Sequence, residues 1–178
     1  ELPGLDGSAL GFLEALKPAG IVTQDKPRHL FRVREPIWIE EGEASLAVLP
    51  GEEFRISYFL AYPNSPLHSQ FYEIVLNGNN FAKEVAPSRT FVLKKEAETL
   101  QKMGLGRGAT YENTLIIGDT GVIQNRLRFE DEFARHKVLD LVGDLYLLGY
   151  PIQGHLIAYR SGHPLNMQLL RKLKEQEE

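Results

Sequence analysis

The sequence contains no cysteine, so neither a disulfide bond nor a thiolate metal site is available to it. No stretch approaches the roughly eighteen consecutive apolar residues of a membrane-spanning helix, and no signal peptide opens the chain. Long basic blocks are also missing and the formal net charge is −4, so nucleic acid is not a favoured partner. These absences favour a soluble, cytoplasmic protein in which an anionic substrate would need a local basic pocket.

The residues that are present predict a folded core. Of 178 residues, 43% are apolar, which is enough for one or two small domains. In the first half, short segments rich in β-branched and aromatic residues alternate with Pro, Gly and Asn. They predict strands at 29–34, 36–40, 44–49, 54–61 and 70–76.

Helical patterns frame and follow these strands. A first helix at 9–17 has Asp6 or Ser8 as its cap and Gly20 as its stop. Further helices are predicted at 81–86, 94–103, 131–148 and from Pro164 onward, with His163 as the last cap, and short strands at 90–93, 113–117 and 155–159. The expected fold class is α+β, a two-layer sandwich of a mainly antiparallel sheet packed on helices, with an inserted β-α-β unit at about 90–117.

One pair of polar residues in the 131–148 helix could bind a metal ion. His136 and Asp140 are four residues apart, so a helix places them on one face, and Asp144 continues the stripe one turn later. Imidazole nitrogen and carboxylate oxygen are both zinc ligands. From the spacing alone, however, a surface ion pair is the more common outcome, and a catalytic zinc site needs a third protein ligand.

Several segments resemble one known family in the same order along the chain. They are Pro3-Gly4-Leu5-Asp6-Gly7-Ser8-Ala9, Ser88-Arg89-Thr90-Phe91, the run from Leu127 to Asp140, Gly143-Asp144-Leu145 and Ala158-Tyr159-Arg160-Ser161-Gly162-His163. Together they resemble the zinc-dependent UDP-3-O-acyl-N-acetylglucosamine deacetylases of lipid A and lipopolysaccharide synthesis. The resemblance implies Zn²⁺ as cofactor and hydrolysis of the acetamide of that UDP-sugar as the reaction.

The resemblance also implies roles for residues of the reaction centre. His136 and Asp140 correspond to two of the family's three zinc ligands, and His163 to its second acid–base residue, with Asp144 beside it. Thr90 corresponds to the threonine that can bond the oxyanion. Read from the residues alone, His163 is a helix-cap histidine and Thr90 an ordinary strand threonine.

Substrate contacts follow from the resemblance in the same way. Lys137 and Arg160 would bind the UDP phosphates, and Phe91 would pack near the sugar or the acyl chain. The inserted β-α-β unit would form a hydrophobic passage for the acyl chain, lined by Leu93, Leu105, Ala109 and Leu115. Surface cations and simple core packing are the alternatives at these positions.

The resemblance also implies that the active site is shared between two domains. Residues 1–24 correspond to the tail of the family's first domain and residues 25–178 to its second domain. The third zinc ligand and the general base would then come from a missing N-terminal domain, so that this chain supplies half of the active site. The alternatives are an isolated, catalytically incomplete domain, or part of a bifunctional deacetylase fused to a hydroxyacyl-carrier dehydratase.

Overall fold

The computed structural model describes residues 3–63 and 67–176, so the predicted domain limits at residues 1 and 178 lie outside the described residues. The strands are β1 (Phe31–Arg32), β2 (Ile37–Glu41), β3 (Ala44–Leu49), β4 (Phe54–Leu60), β5 (Gln70–Val75), β6 (Phe91–Leu93), β7 (Leu115–Gly118), β8 (Gly121–Val122) and β9 (Ile152–Tyr159). The helices are α1 (Leu10–Leu16), α2 (Gly78–Asn80), α3 (Lys94–Lys102), α4 (Glu132–Tyr146) and α5 (His163–Glu175).

The larger sheet has the strand order β2-β3-β9-β4-β5, and β1 pairs with the start of β9 in parallel. Within this order of five strands, neighbours are antiparallel except for β4 and β9, which run parallel. Helices α4 and α5 pack together and against this sheet. The predicted α+β fold of a mainly antiparallel sheet packed on helices is therefore confirmed.

Alternation along the strands determines which face of the sheet meets the helices. In β9, Ile152, Gly154, Leu156 and Ala158 are buried, while the residues that alternate with them point to the opposite face. Helix α4 contributes Val138, Leu141 and Leu145, whose spacing of three and four places them on one stripe. The core thus lies between the inner face of the sheet and the apolar faces of two helices.

The predicted β-α-β unit is present beside the main sheet. Strands β6 and β7 pair in parallel with α3 as their connection, and β8 adds an antiparallel edge that the sequence did not predict. Residues 6–9, here called the N-terminal strap, lie against this unit. The backbone N–H of Thr90 donates to the Gly7 carbonyl at 2.8 Å, and that of Ala9 donates to the Ala86 carbonyl at 2.9 Å.

Three local predictions need correction. The α1 helix has Ala9 as its N-cap residue, although the Ser8 hydroxyl accepts a hydrogen bond from the Leu10 N–H. The helix predicted at 81–86 is a π-helical segment, Phe81–Val85, that continues from α2. His163 is the first residue of α5 rather than its cap, because Gly162 has the extended backbone that an N-cap requires.

Candidate metal and catalytic site

His136 and Asp140 face each other on α4, as their spacing predicted. The Nε2 atom of His136 lies 3.3 Å from Oδ1 of Asp140. The other carboxylate oxygen, Oδ2, accepts a hydrogen bond from the Lys137 ammonium at 2.7 Å. One turn of helix therefore brings an imidazole, a carboxylate and a cation together.

The second nitrogen of His136 fixes the orientation of its ring. Nδ1 lies 3.2 Å from the carbonyl oxygen of Ser88, and because a carbonyl can only accept, Nδ1 is the protonated nitrogen. Nε2 is then directed towards Asp140. The ring is almost fully buried, and this burial lowers the pKa of His136, while the neighbouring Asp140 charge acts in the opposite direction.

Nε2 of His136 and Oδ1 of Asp140 are at a distance that would allow both atoms to bind one zinc ion. Two ligand atoms bound to one tetrahedral zinc ion at about 2.0–2.1 Å lie roughly 3.4 Å apart, close to the 3.3 Å between Nε2 and Oδ1. The Ser88 carbonyl supplies the outer hydrogen bond that metal-binding histidines usually make. Across residues 3–63 and 67–176, no third His, Asp or Glu joins the pair to complete a metal site.

A second histidine–aspartate pair lies at the start of α5. Nδ1 of His163 is 2.7 Å from Oδ2 of Asp144, and the Asn166 amide donates to the same oxygen at 2.8 Å. The loop before α5 is held by the buried Tyr58 hydroxyl, which donates to the Ser161 carbonyl at 2.5 Å. Burial raises the pKa of Tyr58, so its hydroxyl stays protonated as this bond requires.

A small cleft connects most of these groups. It has a volume of about 240 Å³ and is lined by Tyr62, Thr90, Phe91, His136, Lys137, Asp140 and His163. Thr90 is held on both sides, because its N–H bonds to Gly7 and its carbonyl accepts from the N–H of Leu115. The Phe91 ring packs edge-on to His136, with 6.2 Å between ring centroids. The cleft thus joins the proposed metal ligands to His163 and Thr90.

The remaining predicted substrate-binding residues lie outside the lining of this cleft. Arg160 has a left-handed backbone with φ of 54° and forms an ion pair with Glu43. Leu105 and Ala109 are exposed in the segment between α3 and β7, whereas Leu115 is fully buried and Leu93 packs against the core. The structure therefore brings together the predicted catalytic and metal-binding residues more closely than the predicted acyl-chain contacts.

Three groups in or beside the site were not predicted from the sequence. Tyr62 lines the cleft, where burial raises its pKa, but its position after β4 carries no motif. The Ser88 carbonyl is a backbone group and has no residue signature. Asn166 follows His163 by three residues in a helix, a spacing that could have indicated a common face.

The fold and the cleft define an α+β domain in which one helix, α4, presents a His–Asp pair to a cleft that His163 and Thr90 also line. The family model for UDP-3-O-acyl N-acetylglycosamine deacetylase, LpxC, matches residues 1–175. The chain belongs to this family. In addition, none of the helices within the described residues is long and apolar enough to cross a membrane.

Relatives named UDP-3-O-acyl-N-acetylglucosamine deacetylase match almost the whole chain. The protein from Thermodesulfovibrio yellowstonii is 41% identical over 175 residues, which cover 98% of this chain and 60% of the relative. Those from Syntrophus aciditrophicus and Chlamydia caviae are 41% and 42% identical, covering 100% and 98% of this chain and 57% and 63% of their own lengths. The chain thus spans about 60% of the length of such a relative.

Proposed function

We propose that this protein takes part in zinc-dependent hydrolytic deacetylation of UDP-3-O-acyl-N-acetylglucosamine, a step of lipid A synthesis. Family membership and the names of the relatives support the reaction and the substrate. The observation that carries the proposal is the 3.3 Å approach of His136 Nε2 to Asp140 Oδ1 in a cleft that also contains Thr90 and His163.

His136 and Asp140 are the zinc ligands that this chain contributes. A bound zinc ion supplies a nucleophilic water of lowered pKa and polarises the substrate carbonyl. A catalytic zinc site takes three protein ligands, and the described residues offer two that share one site. We assign the third ligand and the general base to an N-terminal domain, in the part of the longer relatives that this chain does not match.

His163 lines the same cleft and acts on the substrate there. Its Nδ1 is engaged by Asp144, so Nε2 is the nitrogen available to the substrate. As an imidazolium, His163 would stabilise the tetrahedral oxyanion and protonate the leaving amine. The hydroxyl of Thr90, on the same cleft, would donate a second hydrogen bond to the oxyanion.

The charged and aromatic residues around the cleft suit the substrate's other groups. Lys137 already neutralises one oxygen of Asp140 and would bind a UDP phosphate together with Arg160. Phe91 packs between Phe133 and His136 and would contact the sugar or the acyl chain. Leu105 and Ala109 are exposed, and we propose that they border the acyl passage on the inserted unit.

The alternative is a stable domain without catalysis of its own, favoured by the two-ligand set in the described residues. Acetate release distinguishes the two. The full-length protein, meaning this chain together with the proposed N-terminal domain, should release acetate from the UDP-sugar when loaded with zinc, and residues 1–178 alone should not. Absence of acetate release by the zinc-loaded full-length protein would contradict the proposed activity.

His163→Gln tests the assigned acid–base role in the same assay. Turnover should fall by roughly 100-fold or more, the usual contribution of a general acid or oxyanion group. Zinc content should remain at the wild-type level, because His163 is not a ligand in this proposal. Unchanged turnover would remove His163 from the mechanism.

A further inference from the structure

Asn166 is a polar residue within an apolar helix face. Its neighbours on α5, Leu165, Leu169 and Leu170, are buried in the core, and Asn166 itself is only 1% exposed. Burying an amide without full hydrogen bonding is unfavourable. A leucine, which has the same branched shape, would satisfy packing at this position, so the amide calls for a separate explanation.

The hydrogen bonds of the Asn166 side chain point to one function. Nδ2 donates to Oδ2 of Asp144 at 2.8 Å, whereas Oδ1 is buried and has no hydrogen-bond partner among the described residues. The backbone N–H makes the ordinary first helical bond, to the Gly162 carbonyl at 2.9 Å. The side chain therefore gives its one hydrogen bond to the carboxylate that holds His163.

Asp144 needs such support because, within the part of the chain that the structure describes, the exposed His163 ring is held by little other than this carboxylate. The His163 side chain is 64% exposed, and Asp144 Oδ2 binds it at 2.7 Å. Two donors on one oxygen, from two positions of α5, restrict rotation of the carboxylate. A carboxylate held in this way keeps the proton of a neutral imidazole on Nδ1 and directs Nε2 to the cleft.

We infer that Asn166 is a positioning residue that holds Asp144 and thereby keeps the Nδ1–H of His163 bonded to Asp144, with Nε2 facing the substrate. The structural part of this inference rests on contacts alone. Its consequence for turnover rests on the proposed deacetylase function.

Two substitutions separate positioning from stability in the full-length protein. Asn166→Leu removes the donor but fits an apolar pocket, so the melting temperature should stay level or rise. Asn166→Gln keeps an amide donor but adds a methylene to a packed site, so the melting temperature should fall. Gln168→Leu is the control: it removes an amide on the same helix that bonds Glu41 at 2.9 Å, away from Asp144.

Nitrogen NMR of the His163 ring reports the tautomer directly, with the signal assigned by its loss in His163→Gln. Wild type, Gln168→Leu and Asn166→Gln should show the Nδ1–H form above the pH at which the ring is neutral. Asn166→Leu should show a mixture of both tautomers. Its turnover should fall about ten-fold with KM and zinc content unchanged, the scale of lost support around a metal site.

The outcomes separate this inference from the proposed function. An unchanged tautomer in Asn166→Leu, or turnover that follows melting temperature across the variants, overturns the positioning role. A wild-type protein that releases no acetate overturns the proposed function, while the tautomer comparison still decides the role of Asn166.

Discussion

A buried ion pair joins the residue before Thr90 to the start of α4. Nε of Arg89 donates to Oε1 of Glu132 at 2.8 Å, and the Arg89 backbone N–H donates to the same oxygen at 3.1 Å. Glu132 is fully buried, and its other oxygen accepts from Arg89 Nη2 and from the Arg128 backbone N–H. These bonds tie the Ser88–Thr90 segment to the helix that carries His136 and Asp140.

Arg89→Met should destabilise the protein strongly. The substitution leaves the Glu132 carboxylate buried without its cation, a change that costs about 3–5 kcal/mol. Urea unfolding, followed by circular dichroism, measures the loss. Glu43→Gln is the control, because it breaks the exposed pair with Arg160 and should cost about 1 kcal/mol or less. Equal losses for the two variants would contradict a structural role for the buried pair.

Sequence reasoning reached some of these residues and not others. The i, i+4 spacing predicted that His136 and Asp140 share a face, because a helix alone determines it. Glu132 is buried against Arg89, a contact between distant segments that no local pattern indicates. Tyr62 depends on packing between elements that are distant in sequence, so no local pattern indicates it. The spacing of Asn166 from His163 is local, but its bond to Asp144 joins two helices and leaves no signal in the sequence.

At the scale of elements, the N-terminal strap fixes the β-α-β unit. Asp6 pairs with Arg128 at 2.7 Å, and Arg128 also donates to the Pro87 carbonyl at 2.8 Å. Burial opposes ionisation of Asp6, but the hydrogen bonds from Arg128 and Ser8 outweigh it and lower the pKa of Asp6. The strap is therefore held by charge and by backbone bonds beside Thr90.

Gly7→Ala should displace the strap. Gly7 has φ of +78°, and an added Cβ would lie 1.9 Å from the carbonyl oxygen of Asn113. The expected loss in unfolding free energy exceeds that of Gly42→Ala by roughly 2 kcal/mol, the scale of an overpacked contact. Gly42 is the matched control, because its φ is also positive but no atom lies within 4 Å of the added Cβ.

Chemical unfolding of both glycine variants measures the difference. Equal losses would mean that backbone strain alone matters at Gly7, and that the strap does not pack tightly against residue 113.

Most elements were predictable from the sequence because their signals are local. The predicted strand at 44–49 agrees with β3, and the helix predicted at 94–103 agrees with α3 to within one residue. The predicted strand at 29–34 shrinks to Phe31–Arg32, because only these residues pair with Ile152 and Gln153. The missed β8 pairs across the turn between Gly118 and Gly121, where two residues are too few to show alternation.

At the scale of the whole molecule, the layer architecture was predictable but the strand order was not. Strand β9 lies between β3 and β4, which it follows by about a hundred residues. Pairings of this kind are set by the shared burial of distant apolar faces and leave no local signal. The α+β class followed from composition and periodicity, whereas the sheet topology required the structure.

The two-ligand set leads to a prediction about zinc affinity. Residues 1–178 should bind zinc more weakly than the full-length protein by at least about 100-fold, because the proposed site takes its third protein ligand from outside these residues. Competition with a chelator of known affinity measures both values. Equal affinities would contradict a third ligand outside this chain.

The most direct test of the central claim is the zinc affinity of three variants of the full-length protein. His136→Ala and Asp140→Ala should each lower the affinity by more than about 100-fold, since even outer hydrogen-bond partners contribute 10–100-fold. His155→Ala is the control: His155 projects from the outer face of β9, where its Nε2 lies 2.8 Å from Ser57 Oγ, and its loss should leave zinc binding unchanged. Wild-type zinc affinity in both His136→Ala and Asp140→Ala would contradict the account.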